Sequence, residues 1–221
     1  MALLAVFVLA LQSCFDDDGY DDEHLLFSIG TVQVMEGQDY YVELDDGSSL
    51  YPSDTTAIHG YAVRDGQRAF VYFSLLEEEL PGYAYNAKLE HIENILTKDI
   101  YRMSPDKADS IGDDRIDVDN VWLTKDHVNI VYKFYHSNDV DKKHMLNLVI
   151  DEGQDAPDDG YLHLSFRHNA YNDTPLKGGS GIVSFKLDNV RDQLGSCQGL
   201  RIAVNTLYGG AKEFTVDKPA D

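Results

Sequence analysis

The chain has 221 residues, enough for one large or two small domains, and its 43% apolar content can fill real hydrophobic cores. Its 18 basic residues oppose 39 acidic ones, and the resulting net charge of −21 argues against nucleic acid as a partner. Fourteen Tyr and nine Phe favour strands over helices, because aromatic side chains pack well on a pleated sheet.

An apolar leader opens the chain. Residues 2–11 form a run of about ten apolar residues, far shorter than the ~20 needed to span a bilayer. The run ends in Leu11-Gln12-Ser13-Cys14, which resembles the lipobox read by lipoprotein signal peptidase. We therefore predict a lipoprotein signal peptide over 1–13 and a membrane anchor on a lipidated Cys14. No Lys or Arg precedes the run, which suggests an upstream start codon.

An acidic tether is predicted over residues 14–24. Six of the nine residues in 15–23 are acidic, so self-repulsion should keep the segment extended. The same run resembles the signal with which Bacteroidetes send lipoproteins to the outer face of the outer membrane, although a plain solvated spacer is the alternative. The expected location is therefore the cell envelope, lipid-anchored to the outer membrane and surface-exposed.

Short strands separated by turn residues fill the first half. Asp45-Asp46-Gly47 and Asp65-Gly66 are typical of tight hairpin turns. About five strands within ~75 residues predict a small closed barrel, which has no exposed sheet edges. The barrel is placed at residues 25–103, with strands at 29–34, 40–44, 48–51, 60–63, 68–73 and 83–91.

The second half predicts an antiparallel β-sandwich over residues 104–221. The polar, turn-rich stretch 103–114 marks the boundary between the two domains. A short helix is expected at 188–195, where Val190 and Leu194 lie four residues apart before Gly195. Seven short strands suggest two packed sheets: 121–123, 128–135, 145–150, 161–168, 181–187, 200–207 and 213–216.

Metal and cofactor sites are not predicted. His163 and His168 are five residues apart on one strand and should point to opposite faces. His136 and His144 flank a charged loop, so we expect surface histidines rather than ligands. The acidic stretch 151–160 departs from the EF-hand spacing and predicts an acidic loop.

No catalytic motif stands out. With Cys14 lipidated, Cys197 is left as an unpaired, partly buried thiol. Paired carboxylates for acid–base chemistry leave no spacing signature among 39 acids, so an unrecognised hydrolase remains an alternative to a non-enzymatic protein.

Several longer strings resemble the NigD-like lipoproteins of Bacteroidetes. They include residues 40–47, Tyr-Tyr-Val-Glu-Leu-Asp-Asp-Gly; residues 111–116, Ile-Gly-Asp-Asp-Arg-Ile; and residues 164–170, Leu-Ser-Phe-Arg-His-Asn-Ala. The resemblance covers nearly all of the mature chain. It implies an N-terminal OB-like barrel followed by a C-terminal β-sandwich. The family is named for a member encoded beside a bacteriocin gene, so the resemblance also implies an immunity role.

Arg167, His168 and Asn169 are the candidate ligand residues within the last string. A guanidinium and an imidazole at a strand end could hold a carboxylate or a sugar. In the alternative interpretation, Arg167 bridges the two domains and Asn169 sets the following turn.

The leading functional hypothesis is a non-enzymatic binding or accessory lipoprotein whose aromatic β surfaces engage a protein, peptide or glycan. A bacteriocin immunity lipoprotein is the first alternative, because acidic charge would steer a cationic peptide toward it. An unrecognised hydrolase is the second, and it requires a buried carboxyl group with a perturbed pKa in a cleft.

Overall fold

The computed structural model describes residues 25–37 and 39–218. The predicted signal peptide, Cys14 and the acidic tether lie outside these ranges. The described chain is built mainly of strands, with a closed barrel followed by two facing sheets. The predicted all-β class and the order of barrel and sandwich are confirmed.

Five strands close the barrel in the order β1-β2-β3-β5-β4. They are β1 (Leu26–Val34), β2 (Tyr40–Leu44), β3 (Ser49–Asp54), β4 (Arg68–Leu75) and β5 (Tyr85–Asn94). Only the β3–β5 pairing is parallel, as in an OB barrel. Alternate residues fill the interior, so Val42 is fully buried whereas Tyr41 and Glu43 face outward.

The strand predicted at residues 60–63 is wrong. The turn at Asp65-Gly66 forms, with Gly66 at φ 72°, but the residues before it do not join the sheet. Tyr61 and Val63 instead pack against the barrel core as irregular chain. Because β1 pairs with β4 to close the barrel, no sheet edge is free to take another strand there.

The sandwich consists of one sheet in the order β14-β13-β11-β10-β7 and a second in the order β6-β12-β9-β8. Buried Phe166 and Phe185 meet edge-to-face between the sheets. All seven strands predicted in the second half are present. The full set is β6 (Leu96–Asp99), β7 (Tyr101–Met103), β8 (Asp117–Leu123), β9 (His127–His136), β10 (Met145–Asp151), β11 (Tyr161–Asn169), β12 (Lys177–Lys186), β13 (Gly199–Thr206) and β14 (Gly210–Asp217).

The sandwich begins at Leu96, earlier than the predicted boundary at 103/104. The missed strands β6 and β7 each occupy the edge of a different sheet, and buried Ile100 lies between them. Both are too short to show a periodic pattern. The pairings β6–β12, β7–β10 and β11–β13 are parallel, so the sheets are mixed rather than purely antiparallel as expected.

The predicted linker after residue 103 is folded. A 3₁₀ turn (Pro105–Lys107) leads into helix α1 (Ala108–Ile111), and Gly112 follows at φ 78°. A side chain at Gly112 would collide with Asn169 of β11, so the segment lies close against the sandwich. The predicted helix at 188–195 is confirmed as a 3₁₀ turn (Asp188–Val190) followed by α2 (Arg191–Gly195).

Candidate ligand-binding surfaces

Arg167, His168 and Asn169 do not converge on one site. Strand β11 alternates strictly, so His168 points into the sandwich while its two neighbours point outward. The same alternation separates His163 from His168, as predicted. Lipid attachment at Cys14 falls on a residue outside the described ranges.

Arg167 and Asn169 hold the chain around α1 and the end of β11. Arg167 pairs with Asp113 at 3.2 Å, so it does not bridge the two domains as the alternative interpretation suggested. The Asn169 side chain donates to the Ser110 carbonyl (3.1 Å) and accepts from the Tyr171 backbone N–H (2.8 Å). The latter bond sets the turn after β11, as that interpretation expected.

His168 belongs to a buried cluster that sequence spacing could not show. Its Nε2 lies 2.8 Å from Nδ1 of His144, which is 24 residues away, and Nε2 of His144 lies 3.1 Å from the Asp173 carboxylate. His168 Nδ1 faces the Arg115 carbonyl at 3.2 Å, an atom that can only accept. His168 is 2% exposed, so the expectation of surface histidines is wrong here.

The histidine cluster is bonded at both ends to oxygens that can only accept. His168 Nδ1 therefore donates to the Arg115 carbonyl, and His144 Nε2 donates to the Asp173 carboxylate. Hydrogen bonds from Ser137, with smaller contributions from His144 and Lys142, hold the pKa of Asp173 well below its usual range. Burial lowers the pKa of His168. The cluster therefore fixes the loops on either side of it.

A buried arginine joins the barrel to the sandwich. Arg68, at the start of β4, is 1% exposed and points out of the barrel. Its guanidinium donates to both oxygens of Asp45 and, at 2.8 Å, to Asn129 of β9. The Trp122 indole N–H donates to Asp45 at 2.8 Å. Arg68 thus makes the bridge proposed for Arg167. Its position at a strand start, with Asp45 in a turn motif, did not signal this role.

A cleft of about 560 Å³ opens beside this junction and is lined by both domains. Its walls combine β1, β2 and β4 of the barrel with the β8–β9 turn, α2 and the chain end of the sandwich. The lining residues are Thr31, Gln33, Glu43, Leu44, Asp45, Asp46, Gly47, Arg68, Leu123, Thr124, Lys125, Asp126, His127, Leu187, Leu194 and Lys218.

His127 is the unusual residue of this cleft. The residue is 7% exposed, and its ring has no hydrogen bond or ion pair with any residue in the described ranges. Burial, assisted by the charges of Arg68 and Lys186, lowers the pKa of His127 to about 4. Asp126 and Asp45 oppose this shift without reversing it. The imidazole is therefore neutral at pH 7, with one unused donor and one unused acceptor.

Three tyrosines form a second candidate surface, here called the tyrosine face. Tyr41 of β2, Tyr51 of β3 and Tyr83 of the β4–β5 loop have ring centroids 4.9 Å (Tyr51–Tyr83) and 5.8 Å (Tyr41–Tyr83) apart. The hydroxyl groups of Tyr51 and Tyr83 donate to Asp39 and Met35 of the β1–β2 loop. This face and its two flanking loops are where OB barrels bind oligosaccharides and oligonucleotides.

The surroundings of the tyrosine face are acidic. Residues 77–79 of the β4–β5 loop are three consecutive exposed glutamates. Together with the net charge of −21, they disfavour an anionic ligand at this face.

The remaining sequence-based expectations concern metals, reactive groups and membrane spans. Within residues 25–37 and 39–218, no three His, Cys, Asp or Glu side chains are arranged to hold a metal ion. Cys197 is partly buried, as predicted. Burial raises the pKa of the Asp113 carboxyl, but Asp113 is paired with Arg167 and lines neither the cleft nor the tyrosine face. No helix in the described ranges is long and apolar enough to cross a membrane.

An OB-type barrel fused to a mixed β-sandwich, with a buried arginine at their junction, defines a two-domain class of all-β proteins. The chain belongs to the NigD-like family. Residues 29–95 match the NigD-like N-terminal OB domain, and residues 99–218 match the NigD-like C-terminal beta sandwich domain. This is not a known enzyme family.

Solved structures from Bacteroides share this architecture. A protein of unknown function (DUF1344) from Bacteroides vulgatus ATCC 8482 is 28% identical, with a TM-score of 0.76 over 89% of this chain and 92% of its own. A NigD-like immunity protein from Bacteroides caccae ATCC 43185 is 17% identical (TM-score 0.59; 89% and 94% covered). A candidate lipoprotein from Bacteroides fragilis NCTC 9343 is 12% identical, with a TM-score of 0.68 over 89% of this chain and 100% of its own. No curated protein matches the chain.

Proposed function

We propose that this protein is a lipid-anchored envelope protein that binds an oligosaccharide at its tyrosine face without converting it chemically. The observation that carries the proposal is the cluster of Tyr41, Tyr51 and Tyr83 on the β2–β3 face, between the two loops of the barrel. Each ring is half-buried, so the cluster is held in place while part of each ring stays accessible.

The chemistry of this face fits a neutral sugar chain. A tyrosine presents an apolar body and a polar tip, which suits a ligand whose apolar ring faces alternate with hydroxyl groups. The acidic surroundings oppose polyanions, including nucleic acids. Two of the hydroxyl groups are already bonded to the β1–β2 loop, which limits the rotamer freedom lost on binding.

The binding proposal is tested with an oligosaccharide array and the mature chain carrying Cys14→Ala. Removing one stacking ring by Tyr41→Ala or Tyr83→Ala should weaken binding about tenfold. Tyr208→Ala is the matched control, because Tyr208 is 78% exposed and lies on the sandwich. Equal binding by all variants, or no binding to any oligosaccharide, would refute the proposal.

The anchor rests on Leu11-Gln12-Ser13-Cys14 and on the acidic run behind it. The description of the Bacteroides fragilis relative as a candidate lipoprotein is compatible with it. Two or three acyl chains would hold the protein durably at a membrane surface. Protease treatment of intact cells should digest the wild-type protein if it is surface-exposed, and Cys14→Ala should release it from the membrane fraction. Protection until lysis would place it on the periplasmic side.

Interception of a cationic toxin is a second candidate function. The net charge of −21 and the exposed glutamates favour a basic peptide, and one structural relative is named a NigD-like immunity protein. Deleting the gene should then sensitise cells to a co-encoded toxin, and complex formation should weaken steeply with salt. An oligosaccharide complex should be nearly insensitive to salt, which separates the two functions.

A further inference from the structure

We infer that the cleft between barrel and sandwich is a second ligand site, which takes a neutral, polyhydroxylated molecule of monosaccharide to disaccharide size and binds it through His127. The inference does not depend on the tyrosine face. At about 560 Å³ the cleft falls within the range of small-molecule sites, which are common at domain interfaces.

His127 is the main evidence for a ligand in this cleft. Polar groups inside folded proteins usually have a hydrogen-bond partner, either from the protein or from a bound molecule. His127 is 7% exposed and lines the cleft, and its ring nitrogens have no hydrogen-bond partner among the described residues. They are not among the side-chain atoms sealed from solvent, so they are reachable from the cleft. Its neutral form offers one N–H and one lone pair, which two adjacent hydroxyl groups can satisfy.

The neighbouring charged groups are already paired and do not require an ion. Arg68 and Asp45 neutralise each other on the floor of the cleft, and Trp122 adds a further bond to Asp45. Asp126 on the rim is paired with Arg191 at 2.7 Å.

The remaining charges in the cleft nearly cancel. Glu43 and Asp46 are balanced by Lys125 and Lys218. With Asp126, which shares Arg191 with Asp188, the lining has four acidic and three basic residues, and this small acidic excess disfavours an anionic ligand.

The walls of the cleft suit the two sides of a sugar ring. Leu123, Leu187 and Leu194 line it with apolar surface, against which the C–H face of a sugar can pack. Thr31 and Gln33, on neighbouring outward positions of β1, supply polar groups from the opposite domain. A ligand that fills the cleft would contact the barrel and the sandwich together.

Trp122 provides a direct readout, because it is the single tryptophan of the chain and is bonded to the cleft floor. We would titrate the mature Cys14→Ala chain with glucose, galactose, N-acetylglucosamine and their disaccharides at pH 7. A saturable change in Trp122 fluorescence is expected with at least one of them, together with a shift of the His127 ring resonance in ¹H–¹³C NMR. The absence of both changes with every sugar would overturn the inference.

The variant His127→Phe keeps the ring volume and removes both nitrogens. It should weaken sugar binding at least tenfold, whereas His91→Phe, at an exposed histidine of the barrel, should bind like the parent. Tyr83→Ala should also bind normally in the cleft, so failure at this site is distinguishable from failure at the tyrosine face. If His127→Phe does not fold, the NMR shift of the parent decides. Unchanged affinity in folded His127→Phe would contradict the inference.

Discussion

Arg68 and His127 lie at the same domain junction and are both buried, yet only the Arg68 side chain has hydrogen-bond partners. The guanidinium of Arg68 is surrounded by the oxygens of Asp45 and Asn129, which accept its hydrogen bonds. His127 has no such partner, and burial keeps its ring neutral. The comparison shows that burial alone does not give a residue a structural role at this interface. The partners around the side chain decide whether it joins the two domains or stays available to a ligand.

The largest loss of stability is expected from replacing Arg68. Arg68→Met leaves Asp45 without its ion pair at the junction and should destabilise the protein by about 3–5 kcal/mol. Arg167→Met is the matched control, since its partner Asp113 is half-exposed and such pairs contribute about 0–1 kcal/mol. Urea unfolding followed by Trp122 fluorescence measures both. Equal losses would show that Arg68 does not hold the junction.

The next effect concerns pH. A histidine with a pKa of about 6.5 when unfolded and about 4 when folded binds its proton more readily in the unfolded chain. The stability that neutral His127 provides is therefore complete above pH 6.5 and falls as the pH drops toward 4, by up to about 3 kcal/mol. Urea midpoints between pH 7 and 4 should fall more steeply for the parent than for His127→Phe. Parallel pH profiles would contradict the assignment.

The histidine cluster gives an intermediate effect, because its carboxylate is partnered like Asp45 but lies within one domain. Asp173→Asn removes the charge opposite His144 and should destabilise by about 1.5–3 kcal/mol at pH 7. Since the folded pKa of Asp173 is lowered, this contribution is present above the unfolded value of 3.8 and is lost in acid. Asp141→Asn, at an exposed position of the β9–β10 loop that carries His144, is the control and should change stability little.

The smallest effect should come from Trp122→Phe. This change removes one hydrogen bond to Asp45 but leaves the Arg68 pair in place, so we expect a loss of about 1 kcal/mol. Circular dichroism during thermal unfolding is the appropriate measurement, because the change removes the fluorophore. A loss as large as that of Arg68→Met would mean that the indole, rather than the guanidinium, is the main support of the junction.

The sequence predicted the strands well because their signal is local. In β2 the buried residues Tyr40, Val42 and Leu44 alternate with the more exposed Tyr41 and Glu43. This alternation predicts both the strand and the face that it buries. The order of barrel and sandwich followed from strand and turn spacing and from the family resemblance. The prediction of a strand at 60–63 was wrong, because a local alternating pattern cannot show that the other five strands already close the barrel.

The polar sites could not be predicted in the same way. Arg68 and Asn129 are 61 residues apart, and His144 and His168 are 24 apart, so no spacing rule links them. The string containing Arg167, His168 and Asn169 drew attention as a ligand site, but its residues anchor neighbouring loops. The tyrosine face was foreseeable only as a general supply of aromatic residues, because Tyr83 meets Tyr41 and Tyr51 through barrel closure.

The two short strands between the domains have a consequence for dividing the chain. A fragment that starts at Leu96 retains both β6 and β7, whereas one that starts at residue 104 strips an edge strand from each sheet. The exposed backbone of β12 and β10 would then be open to pairing with other chains. The eight residues from Leu96 to Met103 therefore belong with the sandwich, and a fragment needs them to keep both sheets complete.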